Sequence, residues 1–203
     1  MTKNQIIELY RLQVLGQSLT DDQSFKADER VIELMITAAL NEVYFKIFKK
    51  DPSNFDRYCK LYKNVEIKYD SDIDQYYSDL PAKVIQYPIL GDGVWSIGTM
   101  QGSTVEFVPI SQDDAEGMTG SESFLIDDVV KYAVVGNQVY YFGIDPVNPI
   151  TAVKMFLVVE FTEWGATENV PMPSGQDFDI MQLVLQGYRA KDKDKANNQN
   201  SIA

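Results

Sequence analysis

Histidine is missing from this chain altogether, and cysteine occurs once, at Cys59. Without histidine no Ser–His or Cys–His pair can activate a nucleophile, and no standard zinc site can form. Acid–base chemistry would rest on Asp, Glu, Tyr or Lys. One cysteine cannot close an internal disulfide, so nothing indicates an oxidising, secretory setting. Positive charge is scarce as well: 18 basic residues against 30 acidic ones give a formal charge of −12. Affinity for nucleic acid comes largely from Lys and Arg neutralising phosphates, so a grip on DNA or RNA is disfavoured. An acidic wall repels a phosphate backbone, which suits a conduit that must not stick, or plain solubility. No apolar run reaches membrane-spanning length, and the opening MTKNQIIELY lacks the apolar core of a signal peptide. The expectation is a soluble protein made in a cytoplasm, with no membrane partner.

Apolar residues are plentiful. They make up 45% of 203 residues and include 12 Tyr, 10 Phe and 2 Trp. That is enough for one or two small domains with a packed core, with disorder confined to the ends. The segment TKNQIIELYRLQVLGQ predicts a first helix. Thr2 and Gln5 fit a capping box, Ile6, Leu9, Tyr10, Val14 and Leu15 recur at helical spacing, and Gly16 is a plausible stop. The strongest helical segment follows, SLTDDQSFKADERVIELMITAALNEVYFKIFKKD. Thr20 with Gln23 offers a second capping box. Asp21, Asp22, Asp28 and Glu29 near its start, and Lys46, Lys49 and Lys50 at its end, suit the helix dipole. Between Val31 and Leu40 only Glu33 and Thr37 are polar, and Asn41 continues their row. One thin polar strip predicts a helix surrounded on most sides, either in a bundle or by another subunit. Asp51-Pro52 ends it. SNFDRYCKLYK predicts a third, short helix with Phe55, Tyr58, Cys59 and Tyr62 on one face, which makes Cys59 a core residue.

After Lys63 the texture becomes β. VEIKYD, AKVIQYP, GVWSIGTM and TVEFVPI are short β-branched and aromatic runs cut by Gly, Pro and Asp. VVKYAVVGNQVYYFGI predicts a hairpin turning at Gly136-Asn137, where positive φ angles are available. AVKMFLVVEFT predicts a longer, central strand. Two acidic stretches, YDSDIDQYYSDLP and SQDDAEGMTGSES, are expected as flexible loops. A last helix is expected over 176–190, opened by Ser174 with Asp177 as capping pair. The fold class is therefore α+β: a helical body from N-terminal helices plus the C-terminal helix, with an inserted antiparallel β unit, a sandwich or curled sheet. The expected division is 1–64 helical, 65–161 β, 162–190 loop and helix, and 191–203 a disordered tail.

Candidate chemistry is thin. Asp70, Asp72 and Asp74 alternate like the start of a calcium loop, but Gln75 stands at the sixth position and Pro81 at the twelfth, so a solvated acidic loop is expected. Asp127 or Asp128 with Glu160 or Glu163 are carboxylate pairs of the kind a glycosidase needs, in a chain where acids abound. GDGVWSIGTMQGS has glycines without a phosphate-binding spacing. No catalytic, cofactor or metal residues are expected. The C-terminal helix holds more. Asp179, Gln182, Gln186 and Arg189 share a polar row, and the rest of its circumference is apolar. Phe178, Met181, Val184, Leu185 and Tyr188 are its candidate interface residues. Arg189, Lys191, Lys193 and Lys195 extend the candidate set into a locally basic tail that would dock on another subunit's acidic surface.

Taken in order, LTDDQSFKADERVIELMITAALNEVYFKIFKK, LPAKVIQYPILGDGVWSIGTM and VPMPSGQDFDIMQLVLQGYR resemble the head-to-tail connector, or neck ring, proteins of tailed bacteriophages, those of crAss-like phages in particular. The resemblance implies a virion structural protein and not an enzyme. It implies a homo-oligomeric ring, commonly of twelve subunits, between the portal protein and neighbouring neck or tail proteins. The ring would seal the packaged genome and let DNA pass without specific binding during ejection. Two other functions stay open on the residues: a carbohydrate- or peptide-binding β module presenting Trp95, Tyr140 and Tyr141, and a carboxylate-based hydrolase.

Overall fold

A computed structural model describes residues 1–18, 29–85, 93–100, 104–116, 118, 128–147 and 149–187. The chain is α+β and divides into two compact units. One is helical and takes both ends of the sequence, Met1–Tyr58 and Glu160–Ala203; the other, Cys59–Val159, holds the strands.

In the helical unit, α1 spans Lys3–Ser18 and α2 spans Glu29–Lys50. The Thr2–Gln5 capping box forms: Thr2 N donates to Gln5 Oε1 at 2.9 Å and Gln5 N donates to Thr2 Oγ1 at 3.3 Å. Gly16 does not stop α1, which continues to Ser18. The Thr20–Gln23 box lies outside the described residues. After α2, residues Pro52–Tyr58 form a 3-10 helix that folds back on it. Phe55 packs on Phe48 and Tyr44, with ring centroids 5.4 and 6.3 Å away. Tyr44 is tied down at its far end, where its hydroxyl donates to the Pro171 carbonyl at 2.8 Å.

The polar row of α2 is not its solvent face. Glu33 pairs with the Lys3 ammonium, Thr37 is buried with its hydroxyl donating to the Glu33 carbonyl at 2.8 Å, and Asn41 is half-buried. Partners inside the unit satisfy Glu33 and Thr37, and Asn41 turns inward beside them with its Oδ1 buried and unbonded. The exposed row runs instead through Arg30, Leu34, Ala38, Glu42 and Lys46. A last helix, α4, covers 177–187. The Gln176 carbonyl accepts its first bond, from Ile180 N at 3.0 Å, and Ser174 stands in a turn before it. Ile180 and Val184 are fully buried. Each such side chain stabilises the unit by roughly 1.5–3 kcal/mol. The start of α4 lies by α1, where burial and then the Asp177 charge push the Tyr10 phenol up to about 12. Its far end meets α2, since a Cβ at Gly187 would touch Met35 Cγ at 3.7 Å.

The β unit begins earlier than expected. The chain leaves its 3-10 helix at Tyr58 and is strand β1 by Lys60–Glu66, so Tyr62 lies on a strand and Cys59 is half-buried at the junction. The other strands are β2 (Lys68–Asp70), β3 (Gln75–Asp79), β4 (Val94–Thr99), β5 (Glu106–Pro109), β6 (Val129–Val135), β7 (Gln138–Phe142) and β8 (Ala152–Leu157). They form a sheet ordered β1-β8-β4 and a sheet ordered β2-β3-β7-β6-β5. β8 is central in the first, as the apolar run from Met155 to Val159 predicts, but it is not long: it covers six residues and ends at Leu157. The stretch QYYSD, expected as loop, is β3, paired on both sides. SQDDAE begins a short helix, α3 (Gln112–Glu116), rather than a loop. β5 runs parallel to β6, a departure from a purely antiparallel unit. A parallel pair requires a crossover, and α3 lies within it.

The two sheets approach each other at two places. β1 comes within 8 Å of β3, and β4 within 8 Å of β5, Cα to Cα. A bulge at Lys63–Asn64, with Asn64 at φ 57°, bends β1. The β6–β7 turn uses positive φ at Gly136 alone, the type II′ pattern. Gly93 serves a different end. Its carbonyl accepts from Val158 N at 2.9 Å, while Val158 O accepts from Ile85 N at 2.8 Å, so the end of β8 is clamped between two segments.

At Gly93 (φ 74°) an added Cβ would lie 2.5 Å from the Ile85 carbonyl oxygen, whereas at Gly136 (φ 62°) it would meet nothing within 4 Å. Gly136→Ala is expected to cost about 1 kcal/mol of strain, and Gly93→Ala about 3 kcal/mol from strain plus clash. Urea unfolding of the two variants checks the difference.

Candidate interaction surfaces

On α4, Asp179, Gln182 and Gln186 form the exposed polar row that the sequence suggests, with Phe178 beside it at 62% exposed. Met181 is half-buried. Val184 and Leu185 are buried within the helical unit, which removes them from the surface of the isolated chain. The i, i+4 spacing with Ile180 puts Val184 on the core-facing stripe. Tyr188, Arg189, Lys191, Lys193 and Lys195 lie outside the described residues. The helical unit also exposes Met1, Leu9, Leu12 and Leu34, of which Leu12 on α1 at 59% and Leu34 on α2 at 64% are more than half exposed.

The β unit carries a second surface. β3 and β7 place Tyr77 opposite Tyr140, with ring centroids 6.2 Å apart and planes at 35°. The next pair on the same face is Asp79 opposite Gln138. Gln138 Nε2 donates to Asp79 Oδ1 at 3.1 Å, and the Tyr140 hydroxyl donates to Gln138 Oε1 at 2.8 Å. Lys68, from β2, donates to Asp79 Oδ2 at 2.6 Å and sits 5.9 Å from the Tyr77 ring centroid. The opposite face is core. There the Tyr141 hydroxyl donates to Ser78 Oγ at 3.2 Å, and Ser78 donates to the Glu66 carbonyl at 2.7 Å. Burial pushes the Tyr141 phenol up, and pushes Tyr132 up to about 12. Of the aromatics proposed for an outward row, Tyr140 is half-buried on the outer face, Trp95 is half-buried on β4, and Tyr141 points inward. Strand alternation forbids neighbours 140 and 141 from sharing a face. Tyr77, the true partner of Tyr140, was hidden in a stretch whose acidic residues suggested a loop.

The other candidates separate. Asp70, Asp72 and Asp74 shape the β2–β3 turn: Asp72 N donates to Asp70 Oδ1 at 2.9 Å, and Asp74 accepts from the Tyr69 hydroxyl. Among the described residues no group of three or more potential ligands could hold a metal ion. Asp128 belongs to the β unit, Glu160 and Glu163 belong to the helical unit, and Asp127 lies outside the described residues. Among the described residues no helix is long and apolar enough to cross a membrane. Comparison with known proteins returns no matching family and no matching curated protein.

Hydrogen bonds from Lys68 and Gln138 hold the Asp79 carboxyl below its ordinary 3.8, and the bond to Asp79 raises Lys68 above 10.5. For the depressed acid, the stabilisation is present above the unfolded pKa and is lost as pH falls through the folded one. For the raised amine, it is present below 10.5 and lost at higher pH. Both groups are exposed, so the readout is the pKa itself. NMR titration of Lys68→Met is expected to show Asp79 moving back up toward 3.8.

Proposed function

We propose that the chain is a virion structural protein, a ring-forming head-to-tail connector subunit that joins the portal to the tail and forms part of the DNA passage. The observation that carries this reading is the apolar surface of the helical unit. Leu12, Leu34 and Phe178, one on each of three helices, are all more than half exposed. Single exposed leucines are ordinary, but three on one small unit that has its own packed core favour contacts between copies. The order of helices, β insertion and closing helix supports the reading through its resemblance to neck ring proteins. An acidic chain of net charge −12 suits a wall past which DNA slides. Twelve copies, with portal, neck and tail proteins as neighbours, follow from the same resemblance, as does a place in the neck of the virion. The basic tail, residues 191–203, is the segment proposed to reach an adjacent subunit.

Light scattering after size exclusion and negative-stain imaging test the proposal. Annular particles are expected, alone or on a portal. Leu34→Asp combined with Phe178→Asp is expected to give monomers whose thermal unfolding changes little, because both side chains are exposed. Deleting residues 191–203 is expected to keep the fold and weaken assembly. A stable monomer at high concentration that does not assemble on a portal would sink the reading.

A further inference from the structure

The outer face of the five-stranded sheet has no part in the ring reading. Its two tyrosines, Tyr77 and Tyr140, are half-buried cross-strand neighbours with ring centroids 6.2 Å apart and planes at 35° to each other, and the Lys68 ammonium lies 5.9 Å from the Tyr77 centroid, so the pair presents apolar ring surface beside polar groups rather than filling the core. The polar groups beside them are fixed in advance: the amide of Gln138 is held between Asp79 at 3.1 Å and the Tyr140 hydroxyl at 2.8 Å. A ligand therefore meets oriented acceptors and donors without having to order them. Lys68, at the edge of this network, is paired with Asp79 at 2.6 Å.

We propose that this face binds a neutral saccharide, one sugar ring stacking on the Tyr77–Tyr140 pair and its hydroxyls bonding to Asp79 and Gln138. A pyranose has an apolar C–H face and a rim of hydroxyls. It needs a flat apolar support with fixed polar atoms at the edge, and the carboxylate accepts while the second N–H of the Gln138 amide donates. A phosphate-bearing ligand meets a Lys68 already paired with Asp79 and a chain of net charge −12. An apolar helix would bury the exposed Asp79–Lys68 pair, at a desolvation cost that a sugar's hydroxyls avoid.

This proposal does not rest on the ring reading, and its test uses the full chain in whatever state it assembles. The protein is titrated calorimetrically, and by NMR of the tyrosine rings, with neutral oligosaccharides built on glucose, galactose and mannose. Saturable binding of one class is expected, with Tyr77→Ala and Tyr140→Ala each weakening it about tenfold. Asp79→Asn is expected to weaken it too, and Tyr69→Ala, on the opposite face, to leave it unchanged. Should an alanine variant fail to fold, Tyr77→Phe is expected to keep binding while Gln138→Leu loses it. The proposal is overturned if no oligosaccharide binds at millimolar concentration, or if binding survives removal of both rings. A preference for short DNA or an acidic peptide over every sugar overturns it equally.

Discussion

Helix α1 has N–H groups at its start that no residue of its own can satisfy, and residues 166–170 supply the acceptors. Lys3 N and Asn4 N donate to the carbonyls of Glu168 and Ala166, both at 3.1 Å, and Val170 N donates back to the Met1 carbonyl at 3.0 Å. The Lys3 side chain crosses the same seam. Its ammonium pairs with Glu33 on α2, donates to the Thr162 carbonyl at 3.0 Å and sits 5.5 Å from the Phe161 ring centroid. This charge is largely buried, at 13% exposure, and it is tolerable there because every direction offers a partner. The seam makes the helical unit from two distant stretches of sequence, so residues 59–159 must leave and return as one insertion.

Within that insertion the determining element is β8. Its buried side chains, Val153, Met155 and Leu157, alternate with half-buried ones, and its two neighbours hold it in register. Curvature then comes from a few backbone positions, the Asn64 bulge and the Gly93 clamp among them. One face of the second sheet closes over a core sealed by the Tyr141–Ser78 bond, and the other is left to Tyr77, Tyr140 and their polar neighbours. The proposed roles divide along the same line: assembly with the apolar helices, ligand binding with the outer sheet face.

Features set by short-range chemistry were visible in the sequence. The Thr2–Gln5 box, the Gly136 turn and the apolar run of β8 each need only a few neighbouring residues, and each forms. Features set by distant partners were not. Glu33 and Thr37 look like a solvent strip until Lys3 is brought beside them. QYYSD looks like part of an acidic loop until β2 and β7 pair with it, and its burial of Ser78 depends on a carbonyl twelve residues away. Cys59 was expected in a helical core because the aromatic spacing on either side fits a helix, but pairing of β1 with β8 overrides that local preference. The candidate surfaces suffered the same limit: which apolar residues of α4 remain outside is decided by α1 and α2, not by α4 alone.

The seam between Met1–Asn4 and residues 162–170 is expected to belong to the cooperative core of the helical unit. Native-state hydrogen exchange read residue by residue addresses it directly. The amides of Lys3, Asn4 and Val170 are expected to exchange with protection close to that of Val43 in α2 and to open together with it. Fast exchange of those three amides, as at an ordinary frayed end, while α2 stays protected would contradict it.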